Sequence, residues 1–237
     1  MSAPPPIAVV LPCYHYQDSL DRVLDDLFEE RRQGRALRIY VVDDGSNPPL
    51  RMERPGVQLL RHPHNRGYGA AQKTGYAIAL AHGAERVVLL HGDGQYPTSC
   101  TLALADALDD ADVALGSRFL DHQGMHIPAW RRWGNRLLTR TANLRFGVQL
   151  SELHTGARAF RASALLDLPL ESFSDDFVFD QQVLASLLAR QARFSERPIR
   201  ARYDDSVSSI GFRRSVRYGL GCLWTIGTTR PPSANSG

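Results

Sequence analysis

Four short apolar runs, each closing on a polar or glycine-bearing turn, constrain this chain most. Ile7 to Leu11 ends at Pro12-Cys13-Tyr14, and Leu37 to Val42 ends at Asp43-Asp44-Gly45-Ser46. Val87 to Leu90 ends at His91-Gly92-Asp93-Gly94-Gln95-Tyr96-Pro97, and Val113 to Leu115 ends at Gly116-Ser117-Arg118. Runs of this length, rich in β-branched residues, read as strands buried on both faces. Between the first two, Leu20, Val23, Leu24, Leu27 and Phe28 recur at the spacing of an amphipathic helix over 19–32. A further strand is expected at 57–61, and helices at about 70–81 and from Thr98 or Ser99 through 108. Strands alternating with helices imply an α/β fold with a doubly wound, mostly parallel sheet. In such a sheet the carboxyl ends of the strands share one edge, where ligands bind.

The turn after Val87–Leu90 is the richest in chemistry. His91, Asp93 and Gln95 stand at i, i+2 and i+4, and in an extended segment that spacing sets three side chains on one side. An imidazole, a carboxylate and an amide oxygen are all donors to a divalent cation. No Walker loop is present, and Gly67-x-Gly69 has Gln72 where the dinucleotide fingerprint needs glycine. What remains suits Mg²⁺ or Mn²⁺ held against a diphosphate, with the metal neutralising charge on a departing group.

Beyond Arg118 the alternation stops. A helix over 130–146 carries Arg132, Arg136 and Arg140 in one stripe and Trp133, Leu137 and Leu144 on another face. It reads either as a solvated cover for the sheet or as a surface for anionic headgroups or phosphates. A strand follows Glu152 to Arg158. Ser174-Asp175-Asp176 has the composition of a helix start, leading through Asp180 to about Ala192. Ile199 to Tyr203 reads as the last strand, and 212–226 as a basic helix. Residues 1–6 and 230–237 are expected to be disordered. His62 and His64 flank Pro63 and read as surface residues, while His154 suits hydrogen bonding.

Three widely spaced cysteines, Cys13, Cys100 and Cys222, fit a reducing cytoplasm without disulfides. No secretory signal or bilayer-length apolar run is present, so contact with a membrane is expected from the side, at its cytoplasmic face. A net charge of +3 gives no reason to expect a nucleic-acid partner.

The order Leu11-Pro12-Cys13-Tyr14, Val41-Val42-Asp43-Asp44-Gly45-Ser46, Asn65-Arg66-Gly67-Tyr68-Gly69, His91 to Pro97 and Gly116-Ser117-Arg118 resembles family 2 glycosyltransferases of the GT-A fold. Within them it is most similar to dolichyl-phosphate mannose synthases and polyprenyl-phosphate sugar transferases. Ser151 to Gly156, Ser174 to Asp180 and Arg202-Tyr203 extend the likeness, which spans roughly 7–225. The resemblance implies a glycosyltransferase domain over 7–205, with a nucleotide-sugar half at 7–118 and an acceptor half at 119–205, followed by a basic helix within 206–229. It implies that Pro12, Tyr14 and Asp43 or Asp44 contact the nucleotide. Asp93 and Gln95 would ligate the metal, and Arg118, Arg131 and Arg202 would face phosphate oxygens.

Two positions depart from the family pattern. His91 replaces the first Asp of the D-x-D motif, which favours Mn²⁺ over Mg²⁺ and removes one negative charge. Tyr14-His15-Tyr16 lacks the family's Glu, which leaves guanine and uracil both open. The implied reaction is inverting transfer of a sugar from GDP-mannose or a UDP-sugar to a polyprenyl- or dolichyl-type lipid phosphate. Two alternatives accompany it. One is transfer to a polysaccharide hydroxyl, for which Asp176 and Asp180 are the candidate bases at i, i+4 on one helix face. The other is a catalytically weakened nucleotide-sugar-binding protein.

Overall fold

The computed structural model describes residues 6–120, 128–200 and 212–230. The apolar runs form strands of one seven-stranded sheet: β1 (Ile7–Cys13), β2 (Leu37–Asp43), β3 (Val57–Arg61), β4 (Arg86–Leu89), β5 (Val113–Ser117), β6 (Arg158–Arg161) and β7 (Phe194–Pro198). Their spatial order is β3-β2-β1-β4-β6-β5-β7. All neighbours run parallel except β6, which is antiparallel to both β4 and β5. That reversal matters for the site. Arg158 opens β6 opposite Leu89 and Leu115, so the chain enters β6 at the edge where β4 and β5 leave.

Helices cover both faces: α1 (Gln17–Arg32), α2 (Tyr68–Ala81), α3 (Thr98–Asp106), α4 (Ala129–Phe146), α5 (Ala162–Leu166), α6 (Val178–Ala189) and α7 (Phe212–Thr228). Strand alternation divides the core in two. Val9, Leu11, Val41 and Val88 meet Leu20, Leu24 and Leu27 of α1 and Leu102 of α3. Ala8, Val10, Tyr40 and Leu89 meet Tyr76 and Ala79 of α2, Phe179 and Leu184 of α6, Phe146 of α4 and Ile226 of α7. Each such Leu or Phe contributes about 1.5–3 kcal/mol by leaving water. Helix α2 lies close to β1 because Gly75 faces it. A Cβ there would overlap the side chain of Val10.

Two expected elements moved. Among the described residues the last strand is β7 at Phe194–Pro198; of the strand expected over Ile199–Tyr203, residues 199 and 200 lie outside it and 201–203 are not among the described residues. β7 is an edge strand joined to β5 by backbone bonds, so the half-exposed sequence Phe-Ser-Glu-Arg-Pro suffices without an apolar run. Ile199 still extends the pairing, its N–H reaching the Ser117 carbonyl at 3.0 Å. Helix α6 begins at Val178, not at Ser174. The Asp175 carbonyl receives the Gly69 and Ala70 N–H groups, at 2.7 and 3.2 Å, so the segment before α6 serves α2. Residues 1–5, 121–127, 201–211 and 231–237 lie outside the described residues, and with them Arg202, Tyr203, most of the first six residues and nearly all of the expected tail.

Candidate active site

The exit of β4 is a tight turn, not an extended segment. Gly94 adopts φ +71°, and its N–H approaches the His91 carbonyl at 3.4 Å. Asp93 Oδ1 accepts the Gln95 N–H at 2.9 Å, which closes the turn. The extended segment expected to set His91, Asp93 and Gln95 on one side is therefore not formed, because the left-handed Gly94 lets the chain fold back. His91 Nε2 lies 2.7 Å from the Tyr68 hydroxyl in a partly buried contact. Burial holds its pKa below the ordinary histidine value, which favours the neutral ring. Among the described residues no three His, Cys, Asp or Glu gather as a metal cage. Asp93 and Gln95 remain half-buried at the strand end. One carboxylate and one amide fit a cation held jointly with ligand phosphates better than one caged by protein alone.

At the end of β2, both carboxylates expected at the nucleotide are engaged by the protein itself. Asp43, fully buried, accepts the N–H groups of Ser46 (2.9 Å) and Leu50 (3.1 Å) and Nε of Arg61 (3.1 Å). Burial alone would raise its pKa, yet the bonds from Ser46, Leu50 and Arg61 outweigh that and hold it below the usual carboxylate range. Asp44 accepts the Arg66 and Gly67 N–H groups at 2.9 Å each, which ties down the glycine loop. Its Oδ1 also meets His62 Nδ1 at 2.7 Å. His62 is thus buried, not a surface residue, and its Nε2 reaches Thr74 Oγ1 at 2.9 Å. His64 is exposed, as expected. On the open rim, Tyr14 packs edge-on against His15, whose N–H donates to Ser46 Oγ at 3.0 Å. Pro12 sits half-buried opposite Val42.

At the ends of β5 and β6 a charged network lies beneath the edge. Arg118 was expected to face phosphate, but Nε donates to Glu152 Oε1 at 2.9 Å, and Nη2 pairs with the same oxygen. Its backbone N–H donates to Oε2 at 2.7 Å. Glu152 is fully buried and needs this cation; Asn135 adds a bond at 2.7 Å. Arg158, 2% exposed, pairs with Asp180 at 2.8 Å. Asp180 also accepts Gln72 Nε2 at 2.8 Å, and Gln72 Oε1 accepts the Tyr76 hydroxyl at 2.8 Å. Asp176 stands before α6, exposed, its Oδ1 accepting the Phe177 N–H at 2.8 Å. The two candidate bases therefore do not share a helix face. Arg131 stacks on Trp130, its guanidinium carbon 5.0 Å from the ring centroid.

His154 does hydrogen-bond, through Nδ1 to the Tyr218 hydroxyl of α7 at 2.9 Å. Burial first, then Arg158 and Arg118, push its pKa down to about 3. Sequence reasoning missed Arg158, Gln72, His62 and Tyr68 as part of this edge. Arg158 left one trace, a cation directly before the apolar pair Ala159-Phe160 of a short strand. The others left none, because their partners lie in other elements.

A mixed α/β sheet whose strand ends gather a solvent-reachable carboxylate, an aromatic rim and buried ion pairs belongs to the class that binds nucleotides and their phosphates along one edge. The Glycosyl transferase family 2 profile matches residues 8–168, and the chain belongs to that family. Its fold is GT-A. Glucosyl-3-phosphoglycerate synthase of Mycobacterium tuberculosis, solved with Mn²⁺, UDP-glucose and glycerol 3-phosphate, superposes with a TM-score of 0.67 at 16% identity, covering 97% of this chain and 82% of that one. The undecaprenyl-phosphate mannosyltransferase of Micrococcus luteus is 25% identical over 92% of this chain and 96% of its own. A dolichyl-phosphate hexose transferase of Haloferax volcanii is 28% identical over 68% of this chain and 69% of its own.

Proposed function

We propose that the protein is an inverting glycosyltransferase that moves a sugar from a nucleoside diphosphate to the phosphate of a polyprenyl-type lipid. The observation that carries this reading is the near end-to-end likeness to an undecaprenyl-phosphate mannosyltransferase. Asp93, with Gln95, holds Mg²⁺ or Mn²⁺ against the diphosphate, and the metal supplies charge neutralisation for the departing group. Pro12 and Tyr14 take the base and ribose. Asp43 and Asp44 act one step back, by fixing the rim and the glycine loop on which the nucleotide lies. Arg131, and Arg202 outside the described residues, are assigned to phosphate oxygens, while Arg118 holds Glu152 and the wall of the cleft.

A phosphate monoester with a second pKa near ~6 already carries a nucleophilic oxyanion at neutral pH. The reaction then needs no general base. Asp180 fits that requirement, because its carboxylate is committed to Arg158 and Gln72. The lipid reading also asks for a face toward the bilayer, and α4 with α7 suits it. Trp133 and Trp224 are 70% and 74% exposed, beside Leu137, Leu144 and Leu220. Arginines at 132, 136 and 140 flank them, with no acidic residue in α4. Anionic headgroups complement that charge, and the rings suit the interface.

The test is incubation with labelled UDP- and GDP-sugars, Mn²⁺ and a polyprenyl phosphate, followed by organic extraction. Label in the organic phase is the expected result. Label transferred only to a water-soluble glycan would replace the lipid phosphate with a hydroxyl acceptor. Nucleotide binding without transfer would make this a binding protein.

A further inference from the structure

His91 stands where the family resemblance places an acidic residue, and its ring is packed against other segments of the fold. Four segments converge on it. Its own turn carries Asp93, Tyr68 comes from the first turn of α2, Tyr96 from beyond the turn, and Gly156 from the loop entering β6. Nε2 and the Tyr68 hydroxyl share a hydrogen bond of 2.7 Å. Tyr68 and Tyr96 both meet the imidazole edge-on, at centroid distances of 5.5 and 5.7 Å. Gly156 is bare where the ring lies: a Cβ there would stand 2.6 Å from Nε2. The Tyr96 hydroxyl accepts the Gly156 N–H at 3.1 Å, and Tyr68 stacks on Phe177 at 5.1 Å, so the start of α6 joins the same cluster.

Nε2 is taken up by the Tyr68 hydroxyl, and a ring held edge-on between two tyrosines and against Gly156 cannot turn to offer that nitrogen to a cation without breaking this packing. We propose that His91 is a positioning residue and not a metal ligand. It fastens the Asp93 turn to α2 through Tyr68 and to the β6 entry through Tyr96 and Gly156. Asp93 is then the one anionic protein ligand of a metal–diphosphate. The metal half of this inference rests on the function proposed above; the packing half does not.

Three measurements test it. In the metal-free protein, Gly156→Ala lowers the melting midpoint by about 5 °C, whereas in a His91→Ala background it lowers it no further. Equal losses in both backgrounds would mean that the ring does not fill this space. Pulsed EPR of Mn²⁺ bound with UDP or GDP shows no coordinated imidazole nitrogen. A nitrogen coupling that disappears in His91→Gln would overturn the proposal. Finally, Tyr68→Phe and His91→Phe each weaken Mn²⁺–nucleoside diphosphate binding about tenfold, and the double variant is no weaker, as for groups that act as one unit. Unchanged binding in Tyr68→Phe alongside a loss in His91→Phe would sink it. Should Asp93→Asn bind Mn²⁺ and nucleotide normally, the metal site itself is misassigned, and the metal-free comparison still decides the role of His91.

Discussion

At the scale of single residues, the buried Arg158–Asp180 pair separates two meanings of a lost activity. Asp180→Asn leaves Arg158 buried without its counter-charge, a change that costs about 3–5 kcal/mol in comparable pairs. Urea unfolding is therefore expected to shift to clearly lower denaturant, and replacing both residues with apolar ones, Arg158→Met with Asp180→Leu, to recover much of the loss. Loss of transfer in Asp180→Asn with an unmoved midpoint would point instead to a chemical role. His154 makes a pH prediction. Its folded pKa is about 3 against 6.5 for an ordinary histidine, so the unfolded chain binds a proton that the folded chain refuses. Stability from this residue is complete above pH 6.5 and falls as pH drops toward 3, by up to about 1.4 kcal/mol per pH unit. His154→Asn should flatten the acid limb of a stability–pH profile relative to the native protein; identical limbs would count against a buried neutral ring.

Among the elements, α2 and the segment before α6 depend on each other. Lys73, the only lysine in the chain, is buried on α2. Its Nζ donates to the Phe173 carbonyl at 2.6 Å and pairs with Asp175 at 2.9 Å. Lys73→Met keeps the stem but leaves that carbonyl unsatisfied, and about 1–3 kcal/mol should be lost in chemical unfolding. The same tie explains why α6 starts late. A capping serine and two aspartates at 174–176 are an adequate local signal for a helix N-terminus, but the Asp175 carbonyl is claimed by Gly69 and Ala70 and its carboxylate by Lys73, all distant in sequence. β7 shows the complementary case, an edge strand whose pairing comes from the β5 backbone and leaves little mark in its side chains. The inner strands were legible because burial on both faces demands apolar, β-branched residues there.

For the whole molecule, the informative fact is where the tryptophans are. All three lie on α4 and α7, at 45%, 70% and 74% exposure for Trp130, Trp133 and Trp224. Emission from the native protein thus reports this face alone. On adding anionic vesicles the emission is expected to shift to the blue, and 0.5 M salt should reverse much of the effect, since arginines supply the attraction. Emission that stays red with anionic vesicles would remove the membrane from the proposal. No helix among the described residues is long and apolar enough to cross a bilayer.

Read alone, the sequence determined the order of strands and helices, the shared strand-end edge and the acidic turn after β4. Those features follow from short-range rules: alternation, helical periodicity and the turn chemistry of glycine and aspartate. Which charged groups hold the fold together was decided only in three dimensions. Asp43, Asp44, Arg118 and Asp180 all carried the composition of a binding site, and each proved to have a partner distant in the sequence. The reason is physical. A buried charge must find its counter-charge or donors wherever the topology places them, and β6, entering antiparallel between β4 and β5, brings Arg158 and the loop carrying Glu152, His154 and Gly156 to the one edge where the other strands end.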